Sequence, residues 1–271
     1  MYSWGMGSEV KIIGDVAVHV AGSGPSLVLL HANGGSHHDF DAIIDTLVTN
    51  AKVFAIDWPG HGDSGDSIEP GACAFADLLP SLLENINEGP YTLVGNSVGA
   101  FAAIRTTARR PDLVRNLVVI NPGGFTPRWP STFIFCRLFG SERIAPLAMR
   151  LLPRLYLRRN TPAVQVIRRS AVAASKNSMN VRAFAKIWRS FTDRQHDARR
   201  DSSSVDVPVL LMWGKRDPIL PWLVDGRRAR RAFRNARVVT LPCGHQPFAE
   251  MTSEFTAALA DFLGWNERGM K

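Results

Sequence analysis

At 271 residues, 45% of them hydrophobic, the chain suits one α/β core plus an inserted subdomain and can bury a sizeable core. No apolar run reaches the ~18 residues of a membrane span, and Met1 to Lys11 lacks the apolar stretch of a signal peptide, so a cytoplasmic protein is expected. Three cysteines, Cys73, Cys136 and Cys243, show no C-x-x-C spacing and indicate neither a disulfide framework nor a structural zinc site, while the net charge of +8 raises the question of where the excess sits.

In chain order, the pattern predicts a hairpin over Glu9 to Val20 and strands at Leu27 to Leu30, Val53 to Asp57, Tyr91 to Val94 and Val114 to Ile120. Helices are expected between them at Phe40 to Thr49, Ala72 to Asn87 and Ser97 to Arg109. The first apolar strand breaks into His31-Ala32-Asn33-Gly34-Gly35, a turn rich in backbone donors. His31 reads as a structural group fixing that turn. His37-His38, close to Asp39 and Asp41, raises the question of a metal site. Adjacent histidines project in different directions and no H-E-x-x-H string accompanies them, so a solvent-exposed helix start is expected and no metal.

Gly95-Asn96-Ser97-Val98-Gly99 follows a strand and opens a small-residue helix. The G-x-S-x-G spacing has a mechanical reason. The serine must take a strained backbone conformation, and side chains at the two flanking positions would strike neighbouring backbone. Ser97 is thereby the candidate nucleophile. The Asn33 and Val98 backbone N–H groups are candidates for an oxyanion hole.

After Asn121-Pro122-Gly123-Gly124 the alternation stops, and residues 125–204 read as helical and punctuated by proline. The chain is thus expected to divide into a core segment over 1–124, an inserted helical cap over 125–204 and a second core segment over 205–271. The cap carries 16 Arg and Lys against 4 Asp and Glu, a net +12 that leaves −4 for the remainder. Three readings of this charge stand open: a solvated basic exterior over an apolar underside, recognition of an anionic substrate by inward arginines, or contact with an anionic membrane surface. Nucleic acid is not indicated, since no aromatic and basic binding motif appears.

Alternation resumes with Val209 to Trp213, which delivers a loop carrying Asp217 to the sheet's carboxyl edge, where open α/β sheets place ligands. Asp217 is the candidate acid; Asp206, which precedes its strand, and Asp225, in a helix-like stretch, compete less well. The last strand ends in Cys243-Gly244-His245, and His245 is the candidate base. Cys243 reads as a packed residue, since a serine already fills the nucleophile's place.

Taken together, the elbow, the oxyanion loop and the order Ser, Asp, His resemble the α/β-hydrolase superfamily, in its branch with a single cap domain. Asp57-Trp58-Pro59-Gly60-His61-Gly62-Asp63-Ser64 is similar to that family's D-x-P-G-H-G-x-S loop, with His61 as a loop-fixing group. The resemblance implies an α/β fold with a mostly parallel eight-stranded sheet, flanked by helices, with an inserted helical cap. It also implies a cofactor-independent serine hydrolase acting on a small-molecule ester, lactone or thioester with an apolar part. Asn96 before the serine is shared with C–C hydrolases of diketo acids, but Gln246 stands after His245 where those enzymes have Trp, which places that reading second. A noncatalytic ligand-binding member of the fold is the alternative from another class.

Overall fold

The computed structural model describes residues 8–265, so residues 1–7 of the N-terminal stretch considered above lie outside the described residues. The strands are β1 (Glu9–Ile13), β2 (Val16–Gly22), β3 (Ser26–Leu30), β4 (Lys52–Ile56), β5 (Tyr91–Asn96), β6 (Val114–Ile120), β7 (Val209–Gly214) and β8 (Ala236–Leu241). Among the described residues they form one eight-stranded sheet in the order β1-β2-β4-β3-β5-β6-β7-β8. The β1–β2 hairpin joins antiparallel, and β2 runs antiparallel to β4. Every other pairing is parallel, as the resemblance implies.

A parallel strand covered on both faces must be apolar at every position, because its side chains alternate between two buried layers. Leu27 and Leu29 of β3 enter one core cluster, and Val28 and Leu30 enter the other. In β6, Leu117 and Val119 alternate in the same way with Val118 and Ile120. One layer is built with α2 (Ala72–Ile86) and α3 (Val98–Arg109), the other with α1 (Ile44–Val48). The expected helix over Phe40 to Thr49 is shorter than its periodicity suggests. Ser36 accepts from the His38 N–H and starts a tight 3-10 turn over His37–Phe40, and regular helix begins only at Ile44. The loop is constrained from outside the segment, since the His37 N–H donates to Asp57 at 2.7 Å instead of joining a helix.

Five helices lie between β6 and β7: α4 (Pro130–Phe139), α5 (Ala145–Tyr156), α6 (Pro162–Ala174), α7 (Ser178–Ser190) and α8 (Arg199–Ser203). Cys136, Met149, Leu152, Phe184 and Trp188 give α4, α5 and α7 a small apolar cluster of their own. The short α8 instead returns to the core. Arg105 on α3 donates to Asp201 at 3.0 Å, and its guanidinium lies 4.7 Å from the Phe101 ring centroid. The chain closes with α9 (Arg227–Ala232), α10 (Pro247–Glu250) and α11 (Thr252–Leu263). Among the described residues, no helix is long and apolar enough to cross a membrane.

Candidate active site

The turn between β5 and α3 carries Ser97 at φ 56° and ψ −112°. A non-glycine residue held there costs of order 1–3 kcal/mol and persists only where its surroundings enforce it. They do so here by close approach. A Cβ on Gly95 would sit 2.6 Å from the Gly99 carbonyl oxygen, and a Cβ on Gly99 would run into the Leu30 carbonyl. The Ser97 N–H is tied to the Ile120 carbonyl at 3.0 Å. Regular helix begins at Val98, one residue later than the sequence suggests, because Ser97 itself is not helical.

His245 is set by three separate anchors. Its Nδ1 lies 2.6 Å from Asp217 Oδ2, its N–H donates to the Tyr156 carbonyl at 3.1 Å, and its own carbonyl accepts from Asn96 Nδ2 at 3.1 Å. Asp217, buried at the β7 edge, accepts from the Ile219 and Leu220 N–H groups through Oδ1. Asn121 donates to its Oδ2 at 2.7 Å, while Asn121 Oδ1 receives the Gly214 N–H at 2.9 Å. Sequence reasoning passed over Asn121, whose only local sign is its place at the end of β6. Glu250 was missed too. Its buried carboxylate accepts the N–H groups of Gly244, Gln246, Arg158 and Arg159, which locks the His245 loop to the end of α5.

Of the competing acids, Asp225 is buried and bonded to Thr126 Oγ1 at 2.5 Å, and burial pushes its carboxyl up to about 6. Cys243 is fully buried, and burial pushes its thiol up to about 12, which leaves it inert as a nucleophile.

Ser97, His245 and Asn33 line one cavity of about 400 Å³. Ser97 Oγ forms no hydrogen bond among the described residues, a common state of unliganded sites, where catalytic contacts tighten only around substrate. The Asn33 and Val98 N–H groups are likewise without an acceptor among the described residues. The turn bearing Asn33 is pinned on both sides by neutral imidazoles. His31 donates from Nδ1 to Ala32 at 2.7 Å and accepts the Trp58 N–H at Nε2. Burial, then the neighbouring His61, lowers His31 to about 3. His61 accepts the Gly34 N–H at 3.1 Å, and burial lowers it to about 4. Both histidines are loop-fixing groups, as their sequence context suggests.

The expected solvent-exposed start at His37-His38 is corrected for its first residue. His38 is exposed and pairs with Asp41, but His37 is buried, stacks on His19 at 3.5 Å and reaches Asp57 Oδ2 at 2.9 Å. Burial alone would raise the Asp57 carboxyl; donors from His19 and His37 outweigh it and hold it below the usual carboxylate range. Ligand atoms of His19, His37, Asp57 and Asp63 lie within 4.8 Å of one another and could hold a cation. The protein already uses them otherwise, since Asp57 accepts the N–H groups of His37 and Asp63 as well as both rings.

Asp39 also borders the cavity. Burial raises its carboxyl to about 7, against a donor from Gln246 Nε2 at 3.1 Å. A carboxyl raised on folding loses stability as pH climbs from its unfolded value toward the folded one, because the folded state must either keep a proton or bury a charge. Asp39→Asn should therefore raise the unfolding midpoint by several degrees near pH 8, with the difference closing near pH 4. Thermal unfolding followed by circular dichroism at the two pH values measures it.

Most of the cavity wall is apolar, with Phe133, Phe135, Met149, Leu152, Phe184 and Trp188 from the inserted helices. Arg128 is the one cation lining it among the described residues, and its guanidinium donates to the Thr192 and Asp193 carbonyls at 2.9 Å each.

Comparison with known proteins agrees with this architecture. A family described as the alpha/beta hydrolase fold matches residues 25–251. The pimeloyl-[acyl-carrier protein] methyl ester esterase of Nitrosomonas europaea is 27% identical over 270 residues, covering 89% of this chain and 97% of its own. The enzyme of the same name from Neisseria meningitidis serogroup B is 26% identical, over 87% of this chain and 91% of its own. Among solved structures, the enol-lactonase of Burkholderia xenovorans LB400 superposes with a TM-score of 0.79 at 20% identity, over 94% of this chain and 100% of its own. A bacterial membrane phospholipase A gives 0.79 at 24% identity, over 96% and 86%. With the match spanning six of the eight strands and both halves of the site, the chain belongs to the alpha/beta hydrolase fold family, as a hydrolase of that superfamily.

Proposed function

We propose that the protein is a serine hydrolase of carboxylic esters with a neutral, apolar acyl group, working through an acyl-enzyme. Ser97 attacks the carbonyl and His245 Nε2 takes its proton. Asp217 holds His245 with Nδ1 protonated, and the Asn33 and Val98 N–H groups receive the oxyanion. His245 then returns the proton to the leaving alcohol and activates water for deacylation. The observation that carries this reading is the 2.6 Å contact of His245 Nδ1 with Asp217, on a ring that shares a cavity with a strained serine.

The lining favours a neutral substrate over an anionic one. Asp39 and Asp225 border the cavity, and its one cation among the described residues, Arg128, is held by the Thr192 and Asp193 carbonyls, so a carboxylate entering the site would meet two acidic groups against one exposed guanidinium. This weighs against a diketo acid and against the anionic-substrate reading of the basic segment. His196 Nε2, buried in the wall and without a partner among the described residues, is available to a polar atom of the substrate or leaving group. No cofactor enters the scheme. We further propose that residues 125–204 act as a cap, with α4 to α7 covering the site and α8 seated on the core, and that the protein works in the cytoplasm, where its three free thiols persist.

A panel of p-nitrophenyl esters of increasing acyl length tests this. Turnover should rise from acetyl to medium-chain acyl groups, as each methylene entering the apolar cavity contributes about 0.8 kcal/mol, and should fall once the cavity is filled. A profile that peaks at acetyl, or higher turnover on a carboxylate-bearing ester than on its neutral isostere, would overturn the assignment.

A further inference from the structure

A cap is expected to turn apolar residues inward and charge outward. In α4 and α5 the outward faces carry both. Ile134 and Leu138, one turn apart, are 68% and 46% exposed, and Leu147, Leu151 and Leu155 on α5 are 57%, 49% and 46% exposed. At 100° per residue each helix presents these side chains as a single stripe. Arginines flank each stripe on one side: Arg137 beside Ile134, and Arg150 and Arg154 beside Leu147 and Leu151, all exposed. The inward residues of the same helices, among them Cys136, Met149 and Leu152, are buried in the cap's own cluster, so these helices are not displaced core elements showing their packing faces. Exposed aliphatic side chains are ordinary when scattered. Grouped in this way, they mark an interaction surface.

We propose that the α4–α5 face docks on an anionic lipid surface, so that the ester hydrolysed at Ser97 enters the cavity from the lipid phase. The second clause rests on the function proposed above; the docking itself does not.

Three features select the partner. Arg137, Arg150 and Arg154 form no ion pair among the described residues, and the single acid between residues 125 and 192 is Glu142, so the arginine stripe calls for anions from outside. A second copy of the chain would set like-charged stripes against each other, which disfavours self-association. The stripes also adjoin the cavity. Trp129, Phe135 and Leu155 line it while remaining 52%, 44% and 46% exposed. A protein seated over these residues would cover the mouth, whereas a lipid surface would supply it. The side-by-side arrangement is the one interfacial helices use, with the apolar stripe sunk into the acyl boundary and the arginine stems reaching back to phosphates. A tryptophan at the rim fits the same depth.

Sedimentation with vesicles of phosphatidylcholine alone, or of phosphatidylcholine with about a third phosphatidylglycerol, tests the inference. It is read with Ser97→Ala, so that docking is scored whether or not the chain is an esterase. Binding to the anionic vesicles should exceed binding to the neutral ones by about tenfold or more and weaken with added salt. In that background, Leu147→Ser with Leu151→Ser should lower it by about tenfold, and so should Arg137→Gln with Arg154→Gln. None of these four residues lines the cavity. With Ser97 intact, both pairs should turn over p-nitrophenyl acetate in solution at the wild-type rate while losing activity on a long-chain ester dispersed in the anionic vesicles. Failure to sediment with anionic vesicles would overturn the proposal, as would binding that ignores the leucine pair. Tight binding to an acidic acyl carrier protein with no vesicle binding would make the face a protein interface and would also overturn it. Far-ultraviolet circular dichroism confirms that the variants are folded.

Discussion

Ser97→Ala should lower turnover by about 10⁴-fold or more while leaving the protein folded with an unfolding midpoint close to that of the wild type. The expected loss is large because no thiolate is at hand to replace the hydroxyl. Cys136, the cysteine that lines the cavity, has its thiol pushed up to about 11 by burial, and Cys243, outside the lining, has its thiol pushed up to about 12. Little stability should change, because alanine is strained at φ 56° much as serine is, and the enforcing contacts come from backbone at Gly99 and Leu30 that the substitution does not touch. Intact mass after treatment with a fluorophosphonate reads the nucleophile directly: one adduct on the wild type and none on Ser97→Ala. An adduct of equal yield on both proteins would place the nucleophile elsewhere.

The second large effect is expected at Asp217→Asn, with a fall in kcat of about 10⁴-fold and little change in KM. The reason lies in how the carboxylate's two oxygens are used. Oδ1 accepts the Ile219 and Leu220 N–H groups, so an asparagine would place its own oxygen there and turn its amide nitrogen toward His245 and Asn121. That nitrogen donates. His245 would then have to present a bare Nδ1 and carry its proton on Nε2, where it cannot accept one from Ser97. The Asn121 amide, which now donates to Oδ2 at 2.7 Å, would meet a second donor, and this conflict should cost about 1–3 kcal/mol of stability. Single-turnover kinetics on a p-nitrophenyl ester, with thermal unfolding alongside, measures both parts. A variant with unchanged kcat would show that the Asp217 contact does not set the tautomer used in the reaction.

Parts of this site that depend on neighbours in sequence were legible there. The elbow is a strand, a turn and a helix within a dozen residues; Gly95 is required by a clash within that stretch, whereas Gly99 is required by the Leu30 carbonyl of β3. The loop histidines His31 and His61 were legible as turn residues, but the donors they satisfy lie in each other's loops, the Trp58 N–H on His31 and the Gly34 N–H on His61. Boundaries were less secure where a distant residue intervenes. The helix expected from Phe40 begins at Ile44 because Asp57, in the loop that follows β4, takes the His37 N–H.

The sequence by itself determined the α/β alternation, the insertion after the sixth strand and the residues offered to one edge of the sheet, since hydrophobic period and turn chemistry are local properties. Tertiary structure decided which groups meet. Asn121 and Asp217 lie 96 residues apart, and Asn96 and His245 lie 149 apart. No pattern in either segment announces the other. It also decided which way α4 and α5 turn, because a helix with apolar residues on two faces has no preferred inside until a neighbour covers one of them. Here α7 buries one face of α4 and α5, and the leucines on the other remain exposed.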